Sequence, residues 1–258
     1  METTELSDIS PENNNLSTLD DVYDAIDATR NPASGTEDDG GSRTHLQEQP
    51  TTTSPYAYPA TILPCTRSGN DLLVLVNKSY ALPSSYAPTD LVAITQSGVR
   101  ATKSGLLIRN IIVSDLSALA AAATDQGIDL AVISTYRSYT TQQSTYNYWV
   151  TYNGGSTAAA DTVSARPGHS QHQLGTAVDF TSSEIGDQLG QQFGTSAAGQ
   201  WLAQHAWEYG FALAYPSGYD AITGYSYEPW HFRYIGRANA AEWHASGEIL
   251  EVWLEGKN

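Results

Sequence analysis

From Tyr56 onward, apolar positions fall into short runs separated by Gly, Pro, Asn and Asp, and the period of each run predicts its element. Leu72 to Asn77 (LLVLVN) reads as a buried strand, and Leu91 to Ile94 as a second extended piece. Lys78 to Asp90, which carries Pro83 and Pro88, is the loop between them. Leu107, Ile111, Leu116, Leu119 and Ala123 keep helical spacing, which predicts a helix over Leu106 to Ala123 that stops at Asp125-Gln126-Gly127. Leu130 to Ser134 follows as a buried strand. Thr140 to Tyr152 is a helix with Thr140 or Thr141 as its N-cap and Asn153-Gly154-Gly155 as its stop. Val163 to Ser170 is a loop holding Arg166-Pro167-Gly168.

The second half alternates more tightly. Thr176 to Phe180 is a strand with Ala177 and Asp179 on one face and Val178 and Phe180 on the other. Ala197 to Tyr209 is a helix closed by Gly210 as its C′ residue. Phe211 to Tyr215 is a strand, Tyr219 to Tyr227 a Tyr-rich loop, and His231 to Ile235 a further strand. Ala238 to Ser246 is a short helix, and Ile249 to Leu254 is helical too. Helices lead and strands gather around the polar motifs, so the expected class is α+β, with a small antiparallel sheet packed against several helices.

Charge divides the chain. Up to Thr53 there are 12 acidic and 2 basic residues, so this stretch carries −10 of the formal −16. Such a composition buries too little apolar surface to offset its ordering entropy, which predicts an acidic, disordered leader over residues 1–55 and one folded domain over 56–258. Within the leader, Leu19 to Ala28 places Leu19, Val22, Tyr23 and Ile26 on one helical face. Nothing basic is clustered, so no nucleic-acid partner is expected. Cys65 is the single cysteine, which excludes an internal disulfide and a thiolate metal cluster. No signal peptide and no membrane-spanning run are visible, and the chain is expected to be a monomer.

Two polar motifs stand out against this background. Ser170-Gln171-His172-Gln173-Leu174-Gly175-Thr176-Ala177-Val178-Asp179 and Glu228-Pro229-Trp230-His231 together offer two imidazoles and a carboxylate to a divalent metal, plus a second carboxylate as base. Asp179 lies in an apolar strand, where a carboxylate needs a metal or a partner charge, and Arg166 is the alternative partner. Pro229 forbids a continuous helix, so Glu228 and His231 meet through a turn or not at all. The competing reading pairs Glu228 with Arg233 and leaves His231 on the strand surface. His169 could hydrogen-bond near the site, His205 packs, His244 suits a helix end, and none of the other histidines has a carboxylate at a useful spacing. Arg137, in Tyr136-Arg137-Ser138-Tyr139, suits either a carboxylate fork or a structural ion pair.

In this order the motifs resemble the zinc carboxypeptidases of the VanY type and the wider D-Ala-D-Ala peptidase and hedgehog fold. The pattern Ser-x-His-x-x-Gly-x-Ala-x-Asp is met by Ser170, His172, Gly175, Ala177 and Asp179. Glu-x-Trp-His is met by Glu228, Trp230 and His231, and Tyr-Arg-Ser-Tyr-x-x-Gln by Tyr136, Arg137, Ser138, Tyr139 and Gln142. The likeness covers about residues 72–240. It implies one zinc ion held by His172, Asp179 and His231, with Glu228 as general base. It also implies that Arg137 engages the substrate, with Gln142, Ser170 and Trp230 beside it. The implied substrate is a peptidoglycan stem peptide ending in D-Ala, cut by a D,D- or L,D-carboxypeptidase outside the membrane. A zinc-stabilised cell-wall binding module and an endolysin-like endopeptidase are the alternatives. Thr135, Gln171 and Leu174 depart from the family's usual Gly, Glu and Thr, and none of the three is expected to touch a ligand.

Overall fold

The computed structural model describes residue 54 and residues 56–258. The acidic stretch and its expected helix over Leu19 to Ala28 lie outside them. Nine short strands are described: β1 Leu63–Pro64, β2 Tyr80–Ala81, β3 Leu91–Ala93, β4 Arg100–Ala101, β5 Leu107–Arg109, β6 Ala131–Ser134, β7 Ala177–Thr181, β8 Phe211–Leu213 and β9 His231–Tyr234. The helices are α1 Val113–Asp125, α2 Tyr139–Tyr152, α3 Thr157–Val163, α4 Ala197–His205, α5 Asp220–Thr223, α6 Arg237–Ser246 and α7 Leu250–Glu255. The class is α+β, as the pattern predicts. Five strands form the central sheet in the order β4-β6-β7-β9-β8. It is antiparallel except at its β4–β6 edge, which is parallel.

Alternation gives the sheet two unlike faces. Val132, Val178, Phe180, Phe211, Phe232 and Tyr234 join α1 and α4 in the main core through Leu116, Leu119 and Leu202. Phe180 meets Phe211 and Phe232 edge to face at 6.2 and 5.7 Å. Each buried Phe contributes roughly 1.5–3 kcal/mol. Asp179 and His231 fall on the opposite face and are register partners across β7 and β9. The next pair on that face, Ala177 and Arg233, has the same register. A shift between Val132 and Ser134 sets Ser134 opposite Asp179 on the other flank.

Three expectations are corrected, and one helix lies in a stretch given no element above. Leu72 to Asn77 forms no strand. Its Val74, Leu75 and Val76 are buried, but the Leu72 and Val74 carbonyls accept hydrogen bonds from Arg233 Nη2 rather than from a neighbouring strand. The helix read from Leu106 starts only at Val113. Leu107–Arg109 pairs with β3 in antiparallel register, with Leu107 exposed and Ile108 fully buried on the other face. The N-cap of α2 is Ser138, whose Oγ accepts from the Thr141 amide at 3.1 Å. The helix without a counterpart in the sequence reading is α3, capped by Ser156, which ends at Val163 where the expected loop begins. No helix among the described residues is long and apolar enough to cross a membrane.

Candidate active site

A single tight turn supplies the first imidazole. Ser170 caps it by accepting from the His172 amide at 3.3 Å. Gln171–Leu174 then makes one 3-10 turn, and Gly175, at φ 69°, ends it in the left-handed region. A Cβ on Gly175 would lie 2.9 Å from Arg109 Cγ, so the chain needs glycine there for space as well as for conformation. The reversal lets β7 return beneath the turn. His172 Nε2 sits 3.1 Å from Asp179 Oδ2, and His172 Nδ1 is 2.6 Å from the Thr135 carbonyl oxygen. Nδ1–H donates to that carbonyl, leaving the Nε2 lone pair for the site.

A second turn supplies the rest. The Glu228 amide donates to the Tyr215 carbonyl, and the His231 amide donates back to the Glu228 carbonyl at 3.1 Å. This closes Glu228-Pro229-Trp230-His231 ahead of β9. His231 Nδ1 is 2.8 Å from Asp179 Oδ1, and Glu228 Oε2 is 3.9 Å from His231 Nδ1. The His231 ring stacks on Tyr215 at 4.9 Å and meets His172 edge-on at 4.9 Å. Ligand atoms of His172, Asp179 and His231 all lie within 4.8 Å of one another, and all three residues are buried. Glu228 is more open, with 26% of its side chain exposed.

These groups form one end of a cavity of about 210 Å³. Arg137, Ser170, Trp230 and Glu228 line it, together with Trp149, Val163, Leu189, Gln191 and Tyr227. Gln142 is not among the lining residues. It is buried behind Arg137, accepting from Arg137 Nε at 2.6 Å and donating to the Ala165 carbonyl at 2.6 Å. Its position is that of a brace for the guanidinium.

Burial opposes charge on both sides of the cluster. It holds His172 below the ordinary imidazole pKa, against the pull of Asp179. Burial also pushes the Asp179 carboxyl up, but the facing imidazoles of His172 and His231 outweigh it and hold the group well below the usual carboxylate range. A buried carboxylate between two imidazole lone pairs is a donor set of borderline nitrogen and hard oxygen that suits zinc.

The competing readings of these residues do not hold. Arg166 pairs with Asp161 through two contacts of 2.9 and 2.6 Å, not with Asp179. Arg233 is fully buried and points to the Leu72 and Val74 carbonyls, not to Glu228. His169 Nδ1 contacts the Asn77 carbonyl at 2.8 Å, and His244 packs edge-on against Trp207. His205 does have a carboxylate partner, Glu208, at 2.9 Å, which corrects the expectation that none did. Cys65 Sγ donates to the Leu75 carbonyl, and burial pushes its pKa up to about 11, away from thiolate chemistry. Of the three departures from the family pattern, only the Gln171 side chain corrects the expectation that none would touch a candidate ligand. Gln171 Oε1 lies 3.2 Å from His231 Nε2, and the backbone carbonyl of Thr135 meets His172. Leu174 is buried in an apolar cluster with Val74, Val76 and Leu82. Tyr215, which stacks on His231, carried no sequence signal beyond its place in a strand.

Comparison with known proteins agrees with this arrangement. Residues 105–237 match the family model VanY, described as D-alanyl-D-alanine carboxypeptidase. The YodJ protein of Bacillus subtilis is 37% identical over 186 residues, covering 72% of this chain and 67% of that protein. The solved LdcB LD-carboxypeptidase, described for its peptidoglycan recognition, superposes with a TM-score of 0.68 at 34% identity, over 78% of this chain and 95% of that one. A vancomycin-resistance D,D-pentapeptidase VanY solved with Zn(II) gives a TM-score of 0.57 at 32% identity, over 70% of this chain and 98% of that one. With its two motif turns meeting across β7 and β9, this chain belongs to the VanY family of carboxypeptidases.

Proposed function

We propose that the protein is a zinc carboxypeptidase that removes C-terminal D-alanine from peptidoglycan stem peptides outside the cytoplasmic membrane. The observation that carries this reading is Asp179, buried between two imidazoles that line a cavity, with Glu228, which lines the same cavity, 3.9 Å from His231. His172 Nε2, Asp179 and His231 Nδ1 would hold the ion. Bound there, zinc supplies a Lewis acid for the scissile carbonyl and acidifies water. Glu228 takes the proton of the attacking water and passes it to the leaving amine of D-alanine. Arg137, braced by Gln142, presents a fork to the substrate's carboxylate or to the developing oxyanion. Ser170 and Trp230 shape the wall beside it. Residues 56–258 would form the catalytic domain, with residues 1–55 dispensable for turnover.

A zinc-stabilised binding module would have no use for a partly exposed carboxylate beside His231, so Glu228 favours the enzyme. The VanY and LdcB likenesses bring in D,D- and L,D-carboxypeptidases respectively. Mass spectrometry of stem peptides decides between them. Conversion of pentapeptide to tetrapeptide marks D,D activity, and tetrapeptide to tripeptide marks L,D activity. The full chain and a chain beginning at Tyr56 should give the same product at the same rate, with about one zinc per chain. Unchanged stems in the presence of zinc would refute the enzyme reading. A shortened chain that folds but does not turn over would refute the domain boundary.

A further inference from the structure

His231 is bracketed by acceptors. Its Nδ1 lies 2.8 Å from Asp179 Oδ1, with Glu228 Oε2 3.9 Å away, and its Nε2 lies 3.2 Å from Gln171 Oε1. The remaining neighbours of the ring are His172, edge-on, and Tyr215, stacked. A neutral imidazole has one N–H, so it can donate to only one of these two sides. In the neutral ring the other nitrogen then faces an oxygen with its lone pair, a contact that a cation lying between them makes favourable. Asp179 can share a cation, because it is a carboxylate and also faces His172 Nε2 at 3.1 Å. Gln171 is buried, contributes a neutral amide oxygen, and meets the ring nitrogen that Asp179 does not.

We infer that Gln171 is a positioning residue for the metal. Its side-chain oxygen accepts Nε2–H of His231, which fixes the tautomer with the Nδ1 lone pair turned toward Asp179 and orients the ring for coordination. His172 has the same device in another form, since its outer nitrogen is held by the Thr135 carbonyl. The two ligand rings are therefore locked from outside by one backbone acceptor and one side-chain acceptor. Only the second can be removed by substitution. Outer acceptors of this kind typically set 10–100-fold in metal affinity.

This inference rests on the metal site proposed above, and the experiment separates the two. Zinc dissociation constants are measured by chelator competition for the wild type, Gln171→Leu and Gln171→Glu, with thermal melts of the metal-free proteins alongside. Gln171→Leu should bind zinc about 10–100-fold more weakly. Gln171→Glu keeps an acceptor at the same reach and should restore affinity to the wild-type value or better. The metal-free melts of all three should coincide. If Gln171→Leu does not fold, Gln171→Met preserves the chain length without an acceptor and takes its place. In the cobalt-substituted enzyme, the ligand-field spectrum should change in Gln171→Leu and return in Gln171→Glu. Equal affinity in the wild type and Gln171→Leu overturns the inference and leaves the metal site standing. Equal losses in Leu and Glu variants overturn it too, because they would mark a packing role. No zinc binding by the wild type overturns both.

Discussion

At the scale of single residues, exposure separates the three proposed ligands from the proposed base. His172, Asp179 and His231 are each at most 5% exposed at the side chain, whereas Glu228 is 26% exposed. A ligand benefits from desolvation, which strengthens its field on the ion, while a general base must meet water and substrate. Glu228→Gln should therefore retain zinc and the melting temperature, since size and hydrogen-bonding shape are nearly kept. It should lose at least about 10²-fold in turnover, the usual scale for losing a general base. A D-alanine release assay beside a metal analysis checks this. Wild-type turnover in the zinc-loaded variant would assign the base elsewhere. Arg137→Lys should also be costly, because an ammonium cannot present both prongs while keeping the contact now made to Gln142 by Arg137 Nε.

At the scale of elements, the site depends on two reversals, one before β7 and one before β9. Gly175 is the tightest point of the first. Its φ of 69° costs an L-residue roughly 1–2 kcal/mol, and its missing Cβ makes room for Arg109, Leu91 and Pro88. Gly98 has a similar φ of 72° with nothing within 4 Å. Gly175→Ala should therefore lower the denaturant midpoint more than Gly98→Ala, by a further 1 kcal/mol or so of stability. Equal losses would mean that the neighbours of Gly175 yield freely. For the first reversal, the sequence marked Gly175 only as a position of the family motif. The second was legible because Pro229 rules out a helix. Other elements were misread for physical reasons. Leu72 to Asn77 is as apolar as a strand, but its carbonyls are taken by Arg233, a residue 159 or more positions away, and no local pattern reports such a partner. Leu107 and Ile111 are both exposed, so the helical spacing that joined them to Leu116 was coincidence. Gln171 was discounted because the motif marks its neighbours as ligands, and an acceptor on the far side of a ligand ring shows only in three dimensions.

At the scale of the molecule, a buried polar web ties the chain's last helix to the turn that carries His172. Asn77 is its node. Its Nδ2 donates to Glu251 Oε1 on α7, its Oδ1 accepts from the Ser79 and Tyr80 amides, and its carbonyl meets His169, three residues before His172. Lys78 lies beside it, 6% exposed, donating to the Asp161 carbonyl and sitting 4.7 and 4.9 Å from the Tyr225 and Tyr58 ring centres. Burial raises the Glu251 pKa to about 8 and lowers that of Lys78 to about 8. The two linkages have opposite signs. Glu251, whose ordinary value is 4.5, holds its proton in the folded state over a range where the unfolded chain has lost it. Its contribution to stability is full below about 4.5 and is lost as pH rises through about 8. Lys78, whose ordinary value is 10.5, gives up its proton early on folding, so stability rises with pH between about 8 and 10.5. The wild type should then be least stable near the point where the two windows meet. Glu251→Gln retains an oxygen for Asn77 and removes the ionisation. Its advantage over the wild type should be near zero at pH 5 and grow to on the order of 2–4 kcal/mol by pH 9. Parallel denaturant titrations at the two pH values measure that difference, and zinc-dependent terms shared by both proteins cancel from it. An advantage independent of pH would show that Glu251 is ionised in the fold throughout, held by Lys78 rather than protonated.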